Sequence, residues 1–475
     1  MSTRPRRFAR LALVPAVAAA LAACAALPET PPLATPRPVD GYAATQSLAA
    51  ARADWPTDAW WRAYGDAQLD QLVDEALAGS PSIATAQARL ARAESVVQTS
   101  RAANRPQLKA NASISEQKQS YEYLTPRAAT PDGWKDYGRA TLDFSWDLDF
   151  WGRNRAALAA ALSDAEAARA DAAQARLMLA ASIASAYAEF ARLWALQDTA
   201  EAALAVRDKT VELLRMRREN GLETLGGVRQ VEARRAMADA DLQSAREQLQ
   251  LQRHRLAALT GAGPDRGLAL SRPQLDVARD FGLPGQLPAQ LLGRRPDIVA
   301  ARLRVEAALG RVDSAKAAFY PDVNLTAFAG MQSLGLSKLT DGGAFTGSIG
   351  PAISLPIFDG GRLRGQLRGV RADADAAVAS YEQAVVQALQ EVADIAASER
   401  ALGGELASTD AGVEAAREAW QIQQRRYAGG LSTYLEVLTA EDAWLTNLRT
   451  QTDLRSRAFT LDVALKRALG GGFRS

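Results

Sequence analysis

An internal duplication constrains this chain more than any other feature of its sequence. Residues 80–83 read Ser-Pro-Ser-Ile, and residues 295–298 read Arg-Pro-Asp-Ile. Residues 220–224 read Asn-Gly-Leu-Glu-Thr, and residues 429–433 read Gly-Gly-Leu-Ser-Thr. Such matches recur in the same order about 210 residues apart, so the chain contains two copies of one large unit. Each copy predicts the same series: helix, strand, loop, strand, long helix, turn and helix.

The predicted strands alternate between apolar and polar residues. From Arg139 to Phe150 every second residue is apolar, and residues 107–115 alternate in the same way. Residues 322–327 and 349–357 are their counterparts in the second copy, where prolines indicate a bend or a strand end. A period of two over this length predicts four strands per chain, each with one apolar and one polar face.

Two long helices follow the strand pairs. Residues 153–220 contain no glycine or proline, and small and large apolar residues recur there at steps of three and four. The matching stretch, residues 362–428, lacks proline but contains Gly403 and Gly404, where we expect a bend or a looser segment. At 1.5 Å per residue, each helix would be about 100 Å long.

The N-terminus has the features of an exported lipoprotein. Basic residues precede a short apolar stretch, and Leu-Ala-Ala-Cys at residues 21–24 looks like a bacterial lipobox. An ordinary signal-peptidase site beside a cysteine is the alternative, but the only cysteine of the chain is Cys24, which favours lipidation. The predicted parts are a signal peptide (1–23), a lipid-anchored extended segment (24–60), a first repeat (61–260), a linker without strand or helix (261–291), and a second repeat with a tail (292–475).

Composition argues against several functional classes. The chain has one histidine, His254, which leaves little for metal ligation or histidine-based catalysis. Cleavage after residue 23 removes four arginines and no acidic residue, so a basic surface for nucleic acid is not expected. No glycine-rich phosphate loop ends in Lys-Ser or Lys-Thr. We therefore predict no cofactor, no metal and no enzymatic activity.

Four strands with one apolar face each cannot seal themselves in a membrane. A sheet in a bilayer must close, because an open edge leaves backbone groups without hydrogen bonds in hydrocarbon. Two chains would give an eight-stranded barrel that its own side chains nearly fill, whereas three would give twelve strands around a wider lumen. The four strands therefore predict that several chains associate. A trimer is favoured over a dimer only if the lumen is open.

Four segments carry a resemblance to a known family. They read WWRAYGD at 60–66, RRPDI at 294–298, LPIFDGGR at 355–362 and RYAGGLSTYLEVL at 426–438. With the lipobox, they resemble the TolC-like outer-membrane efflux proteins, in the NodT-type lipoprotein branch that serves resistance–nodulation–division pumps. The resemblance implies a mainly α-helical homotrimer with a twelve-stranded membrane β-barrel and a long helical periplasmic tunnel. It also implies a periplasmic adaptor (membrane fusion) protein and an inner-membrane pump as partners.

The resemblance also assigns roles to individual residues. The two Gly-Leu turns would meet the adaptor at the periplasmic tip, and Glu436 and Thr439 would lie at the periplasmic gate, where the family often has two acidic residues. Because Thr439 is not acidic, the ring of charge is reduced or built differently; Glu436 as a solvated helix residue is the alternative. The expected adaptor contacts are Gly221, Leu222, Thr224, Gly430, Leu431, Ser432 and Thr433.

Three acidic residues on the polar side of the second strand should face the lumen and favour cations. They are Asp143, Asp147 and Asp149, partly offset by Arg139 and Lys109. The Trp60–Trp61 pair should pack where the N-terminal segment meets the helices. We predict a passive exit duct for small molecules. A duct for secreted proteins and a periplasmic lipoprotein enzyme or scaffold without a pore are the alternatives.

Overall fold

The computed structural model describes residues 28–38, 41–122, 126–275, 281–285 and 287–474. The predicted signal peptide and the predicted lipidation site, Cys24, lie outside these residues. About two thirds of the chain is helical, with a few strands, as the duplication and the long helical stretches predicted.

The two copies have the same order of elements. The first copy contains α1 (Ala67–Gly79), α2 (Pro81–Ala103), β1 (Gln107–Gln117), β2 (Lys135–Asp147), α3 (Arg153–Glu219) and α4 (Leu225–Leu259). The second contains α5 (Leu287–Arg294), α6 (Pro296–Ala317), β3 (Asp322–Leu334), β4 (Phe345–Ser354), α7 (Arg362–Ala428) and α8 (Tyr434–Ala468). Helices α3 and α7 both have 67 residues, and α4 and α8 both have 35.

One local prediction is wrong and another is tested only in part. Helix α7 runs without interruption through Gly403 and Gly404, so the helix does not end there, and the expected bend stays a prediction. Neighbouring helical residues outweigh the cost of about 1 kcal/mol for each glycine. The stretch predicted to be free of helix contains a 3-10 helix, Pro264–Ala269, and the start of α5.

The four strands form one antiparallel sheet in the order β1-β2-β3-β4. The register aligns the alternation across all four strands: Leu108 pairs with Phe144, Phe144 with Ala327, and Ala327 with Ile349. One face of the sheet is therefore apolar along its whole width. The opposite face carries polar residues, such as the row of Lys109, Asp143 and Ser348, which Phe328 interrupts.

The apolar face lies open in the single chain. Ile349 is 78% exposed and Ile114 is 72% exposed, although both are large aliphatic residues. An apolar area of this kind on a folded chain indicates contact with a partner or with a membrane. Among the described residues, the outer edges of β1 and β4 have no strand partner.

Two compact units divide the described chain, and each draws on both copies. Among the described residues, the first comprises those of 28–36, 90–167 and 301–381 and contains the sheet. Its helical part has a small core around Val312 and Leu367, against which Leu33 packs. A Cβ at position 310 would lie 3.1 Å from the Ala160 Cβ, a tight contact that favours glycine where α6 and α3 approach each other.

The second unit, called the helical unit below, comprises the described residues of 37–89, 168–300 and 382–474 and has the main hydrophobic core. Trp60 and Trp61 are both buried there, with their ring centroids 5.8 Å apart, which confirms the packing role predicted for the pair. Asp66 holds the start of α1 in place, since it accepts hydrogen bonds from the Tyr187 hydroxyl at 2.8 Å and from the Gln274 amide at 2.7 Å.

Over the described ranges, no helix has the combination of length and apolar composition that crossing a bilayer would require.

Candidate functional site: two helix turns and a two-faced sheet

The turns that end α3 and α7 have the same backbone geometry. Gly221 and Gly430 both have φ of 71°, a left-handed conformation that glycine adopts without steric cost. The Leu222 amide donates to the Arg217 carbonyl at 2.8 Å, and the Leu431 amide donates to the Arg426 carbonyl at 2.8 Å. These bonds satisfy carbonyls that the helix end would leave unpaired. Both leucines are exposed at these turns, Leu222 by 64% and Leu431 by 73%.

The helix that follows each turn begins on a threonine, but the two caps differ. The Thr224 hydroxyl accepts a bond from the Gly227 amide at 3.0 Å at the start of α4. At the start of α8, the Glu436 Oε1 atom accepts from the Thr433 amide at 3.4 Å and from its hydroxyl at 3.3 Å. The Glu436 carboxylate thus reaches back to its own helix start, while the residue stays exposed. Thr439, the other predicted gate residue, donates its hydroxyl to the Leu435 carbonyl at 2.9 Å.

Aromatic residues that the sequence did not single out join the two turns. The Tyr427 and Tyr434 rings meet edge to face at 5.1 Å, and the Arg217 guanidinium lies 4.7 Å from the Tyr427 ring centroid. The Tyr434 hydroxyl donates to Thr210 Oγ1 at 2.8 Å. Burial raises the pKa of Tyr434 to about 12, so it remains a neutral donor at physiological pH. The only sequence signal for this contact was a tyrosine on each side of the second turn.

An ion-pair network lies further along the same helices. Arg207 of α3 approaches Asp442 of α8 at 2.9 Å, and Arg234 of α4 also pairs with Asp442. Arg449 of α8 pairs with Asp241 of α4 at 3.0 Å. Helix α8 is therefore fastened to α3 and α4 by charge pairs in addition to apolar contacts.

The polar face of the sheet contains Asp143 at its middle and Asp147 at its end. Asp143 accepts hydrogen bonds from Asn111 Nδ2 at 2.7 Å and from the Thr141 hydroxyl at 2.9 Å. Asp147 pairs with Arg153 at 2.7 Å, at the junction between β2 and α3. Both residues are on the strand face on which the alternation placed them.

Asp149 does not belong to that face. Strand β2 ends at Asp147, so the prediction that it continues to Phe150 is wrong. Asp149 has φ of 34° and accepts hydrogen bonds from the amides of Asn154, at 3.0 Å, and Arg155, at 2.9 Å. It stabilises the start of α3, where orphan amides and the helix dipole favour a carboxylate. The alternation in the sequence continues past the end of the strand, because an Asp at position 149 fits both the polar positions of a strand and the N-terminal cap of a helix.

A family model described as "Outer membrane efflux protein" matches residues 72–262 and 287–471, which covers most of the chain in two segments. The chain belongs to the outer membrane efflux protein family. The two matched segments contain the two turns described above, and the family resemblance predicted from the four sequence segments is confirmed.

Curated relatives and a solved structure support this membership. The chain is 38% identical to the fusaric acid resistance protein FusA of Burkholderia cepacia over 75% of this chain and 68% of FusA. It is 32% identical to the multidrug resistance outer membrane protein MdtP of Escherichia coli K12 over 90% of this chain and 88% of MdtP. The crystal structure of the outer membrane protein VceC of Vibrio cholerae matches with a TM-score of 0.84 and 50% identity, covering 88% of this chain and all of VceC.

These findings place this efflux family member in the outer membrane, as the export signal and the two-faced strands predicted. The family comprises outer-membrane channels and is not a family of enzymes.

Proposed function

We propose that this protein is the outer-membrane channel of a tripartite efflux pump and acts as a passive exit duct for small molecules. The observation that carries the proposal is the sheet, because its apolar face is continuous and exposed while its opposite face is polar. That division suits a wall with lipid on one side and water on the other. On this proposal the chain itself catalyses no reaction, and the free energy for transport comes from a partner.

Closure of the sheet supports a homotrimer. The β1 and β4 edges are unpaired among the described residues, and an unpaired edge in hydrocarbon costs several kcal/mol for each unsatisfied group. Pairing β1 of one copy with β4 of the next removes every edge. Three copies would give the twelve-stranded barrel, whose lumen is wide enough for water, and the lipid of the outer membrane would contact the apolar face.

In such a barrel the polar face would line the lumen. Asp143 and Asp147 would then each appear three times around the channel, which favours cations. Asp149, which caps α3, is not part of this proposal.

The long helices would form the periplasmic tunnel, with the two turns at its far end. Exposed Leu222 and Leu431 offer apolar contacts there to a periplasmic adaptor protein. We assign the adaptor contact to the two turns, that is, Gly221, Leu222, Thr224, Gly430, Leu431, Ser432 and Thr433. Glu436 and Thr439 would lie beside the gate, and an inner-membrane pump of the resistance–nodulation–division type would supply the transported molecules.

A lipid on Cys24 would complete the anchoring. Among the described residues that follow it, Ala34 donates its amide to the Asp375 carboxylate of α7 at 2.8 Å. Leu33 packs against the core formed by α6 and α7. An N-terminal segment held in this way suits a tether between the lipid and the helices; the parts 1–23 and 24–60 stay predictions.

The relatives favour small toxic compounds as the transported molecules. FusA is named for resistance to fusaric acid and MdtP for multidrug resistance. A duct for secreted proteins has no support among these names, so it is the less favoured candidate.

Conductance in planar bilayers tests the proposal. Purified wild-type protein should give cation-preferring channels, and Asp143→Asn should lower the cation preference without abolishing conduction. Glu436→Ala should raise the open fraction if Glu436 takes part in the gate. Ser348→Ala, a neutral change in the same cross-strand row as Asp143, serves as the control.

The oligomeric state of a Cys24→Ala variant decides between a channel and a scaffold. A channel subunit without its lipid should still require detergent and should still form a trimer. Extraction as a water-soluble monomer without detergent would contradict the proposal.

A further inference from the structure

One carboxyl group in the helical unit is buried without a close partner. Glu441, in α8, is 1% exposed, and its Oε1 atom has no hydrogen-bond partner among the described atoms. The nearest cationic atom is Arg207 Nε on α3, at 3.7 Å, which is beyond hydrogen-bond distance. A charged carboxylate in this position would be poorly stabilised.

The neighbouring charges explain why Glu441 lacks a partner. Arg207 from α3 directs its Nη2 atom to Asp442 at 2.9 Å, and Arg234 from α4 also pairs with Asp442. Asp442, the next residue on α8, therefore takes both guanidinium groups and adds a negative charge beside Glu441. Tyr434, two turns earlier on the same face of α8, donates its hydroxyl to Thr210.

Burial has the largest influence on the pKa of Glu441. It raises the pKa of Glu441 above the ordinary value of a glutamate, Arg207 and Arg234 oppose the rise, and Asp442 adds to it. Packing of α8 against α3 and α4 therefore favours the protonated form of Glu441 more than water does.

Water can reach the network that surrounds Glu441. A cavity of about 450 Å³ lies between α3, α4 and α8, and Arg207, Arg234 and Asp442 line it. Protons can thus exchange with the network without separation of the helices.

We propose that Glu441 makes the packing of α8 against α3 and α4 sensitive to pH, because this packing requires its neutral carboxyl. The raised pKa of the packed carboxyl sets the direction in which pH changes the packing. A carboxyl whose pKa is higher when packed contributes no penalty below its unpacked pKa, and the penalty grows as the pH rises through the packed pKa. Acidic pH therefore tightens the attachment of α8, and a rise towards neutral pH loosens it. As a statement about regulation of the channel, the inference rests on the proposed function.

Amide hydrogen exchange of residues 434–448 in the full-length protein tests the inference without requiring conduction. Protection is compared at about pH 4.5, near the ordinary pKa of a glutamate, and at about pH 7.5 after correction for the intrinsic exchange rate, and one proton changes an equilibrium by at most about tenfold per pH unit. In the wild type, protection should fall at the higher pH, by up to about a thousandfold, the limit for one proton over these three pH units. In Glu441→Gln, which keeps the shape and cannot ionise, protection should be equal at both values.

Glu418→Gln is the matched control, because Glu418 is an exposed glutamate on α7. It should keep the pH dependence of the wild type. The inference is overturned if wild-type protection does not change with pH, if Glu441→Gln keeps the wild-type dependence, or if Glu418→Gln abolishes it.

A conductance titration separates this inference from the proposed function. Channels with pH-independent exchange would overturn the role of Glu441 and leave the duct intact. Exchange that depends on Glu441 in a protein that forms no channels would overturn the duct and leave the pH-sensitive packing intact. If both hold, the open fraction should increase from acidic to neutral pH in the wild type but not in Glu441→Gln.

Discussion

The sheet and the helical unit differ in how far one chain can bury its own apolar residues. In the helical unit Ile183, Tyr187 and Phe190 are fully buried within the single chain. In the sheet, Ile349 and Ile114 are more than two thirds exposed. Since both regions are rich in apolar residues, the difference teaches that the helical unit buries its apolar residues in a core of its own, whereas the sheet leaves one apolar face uncovered within a single chain.

A charge on the apolar face of the sheet should have the largest effect. Ile349→Lys places an ammonium where the account places hydrocarbon, at a cost of about 2–4 kcal/mol for each copy near the middle of a bilayer. We expect little or no trimer in outer-membrane fractions, as measured by semi-native gel electrophoresis. Ser348→Lys is adjacent but on the polar face, and it should assemble. Equal tolerance of both variants would contradict the assignment of the two faces.

A cavity in the helical core should have the next largest effect. Phe190→Ala removes a fully buried ring and should lower the free energy of unfolding by about 3–5 kcal/mol. Thermal unfolding followed by far-ultraviolet circular dichroism would measure the loss. Val386→Ala, at a position that is 49% exposed, should change stability by less than about 0.5 kcal/mol. A small effect of Phe190→Ala would mean that the core of this unit is incomplete in one chain.

A side chain at Gly330 should disturb the pairing of β2 with β3. A Cβ there would lie 2.1 Å from the Ala140 carbonyl oxygen, so backbone must move, at a cost of about 1–3 kcal/mol. We expect Gly330→Ala to lower the yield of assembled protein, measured as the heat-resistant fraction. Gly350→Ala on β4, where a Cβ meets nothing within 4 Å, should assemble normally. The reverse order of the two yields would show that the strand register differs.

Loss of the left-handed glycine at a turn should have the smallest effect. Gly430→Ala forces a Cβ into a φ of 71°, which costs about 1–2 kcal/mol. Gly221→Ala should cost the same, because its φ is also 71°. Thermal unfolding should show similar small losses, while binding of a purified adaptor reports separately on the proposed contact. A large loss at one turn only would show that the two turns are not equivalent.

Much of this architecture could be predicted from periodicity. The alternation at residues 107–115 predicted β1, and the glycine-free stretch after residue 152 predicted α3. The end of β2 was missed because Asp149 continues the polar alternation while its carboxylate caps a helix. Periodicity describes which residues share a face, but it does not show where a cap replaces a strand.

The candidate site was predictable only in part. The two turns could be located from Gly-Leu in both copies, and the structure gives them the same geometry. The contact between Tyr427 and Tyr434 and the burial of Glu441 could not be foreseen, because both depend on which long helices pack together. In the sequence, Glu441 looks like an ordinary polar helix residue. Folding brings it beside Arg207, which lies more than two hundred positions earlier in the chain.

Disulfide formation between β1 and β4 tests most directly the claim that the sheet closes between copies. Ala112→Cys on β1 is combined in turn with Ile349→Cys, Pro351→Cys or Ile353→Cys on the same face of β4. Within one chain these strands are three spacings apart, about 14 Å, which exceeds the reach of about 7 Å for the two Cα atoms of a disulfide. At least one pair should give covalent dimers and trimers on non-reducing gels, with Ala112→Cys alone as the control. Monomers alone from all three pairs, in protein oxidised within the outer membrane, would contradict the account.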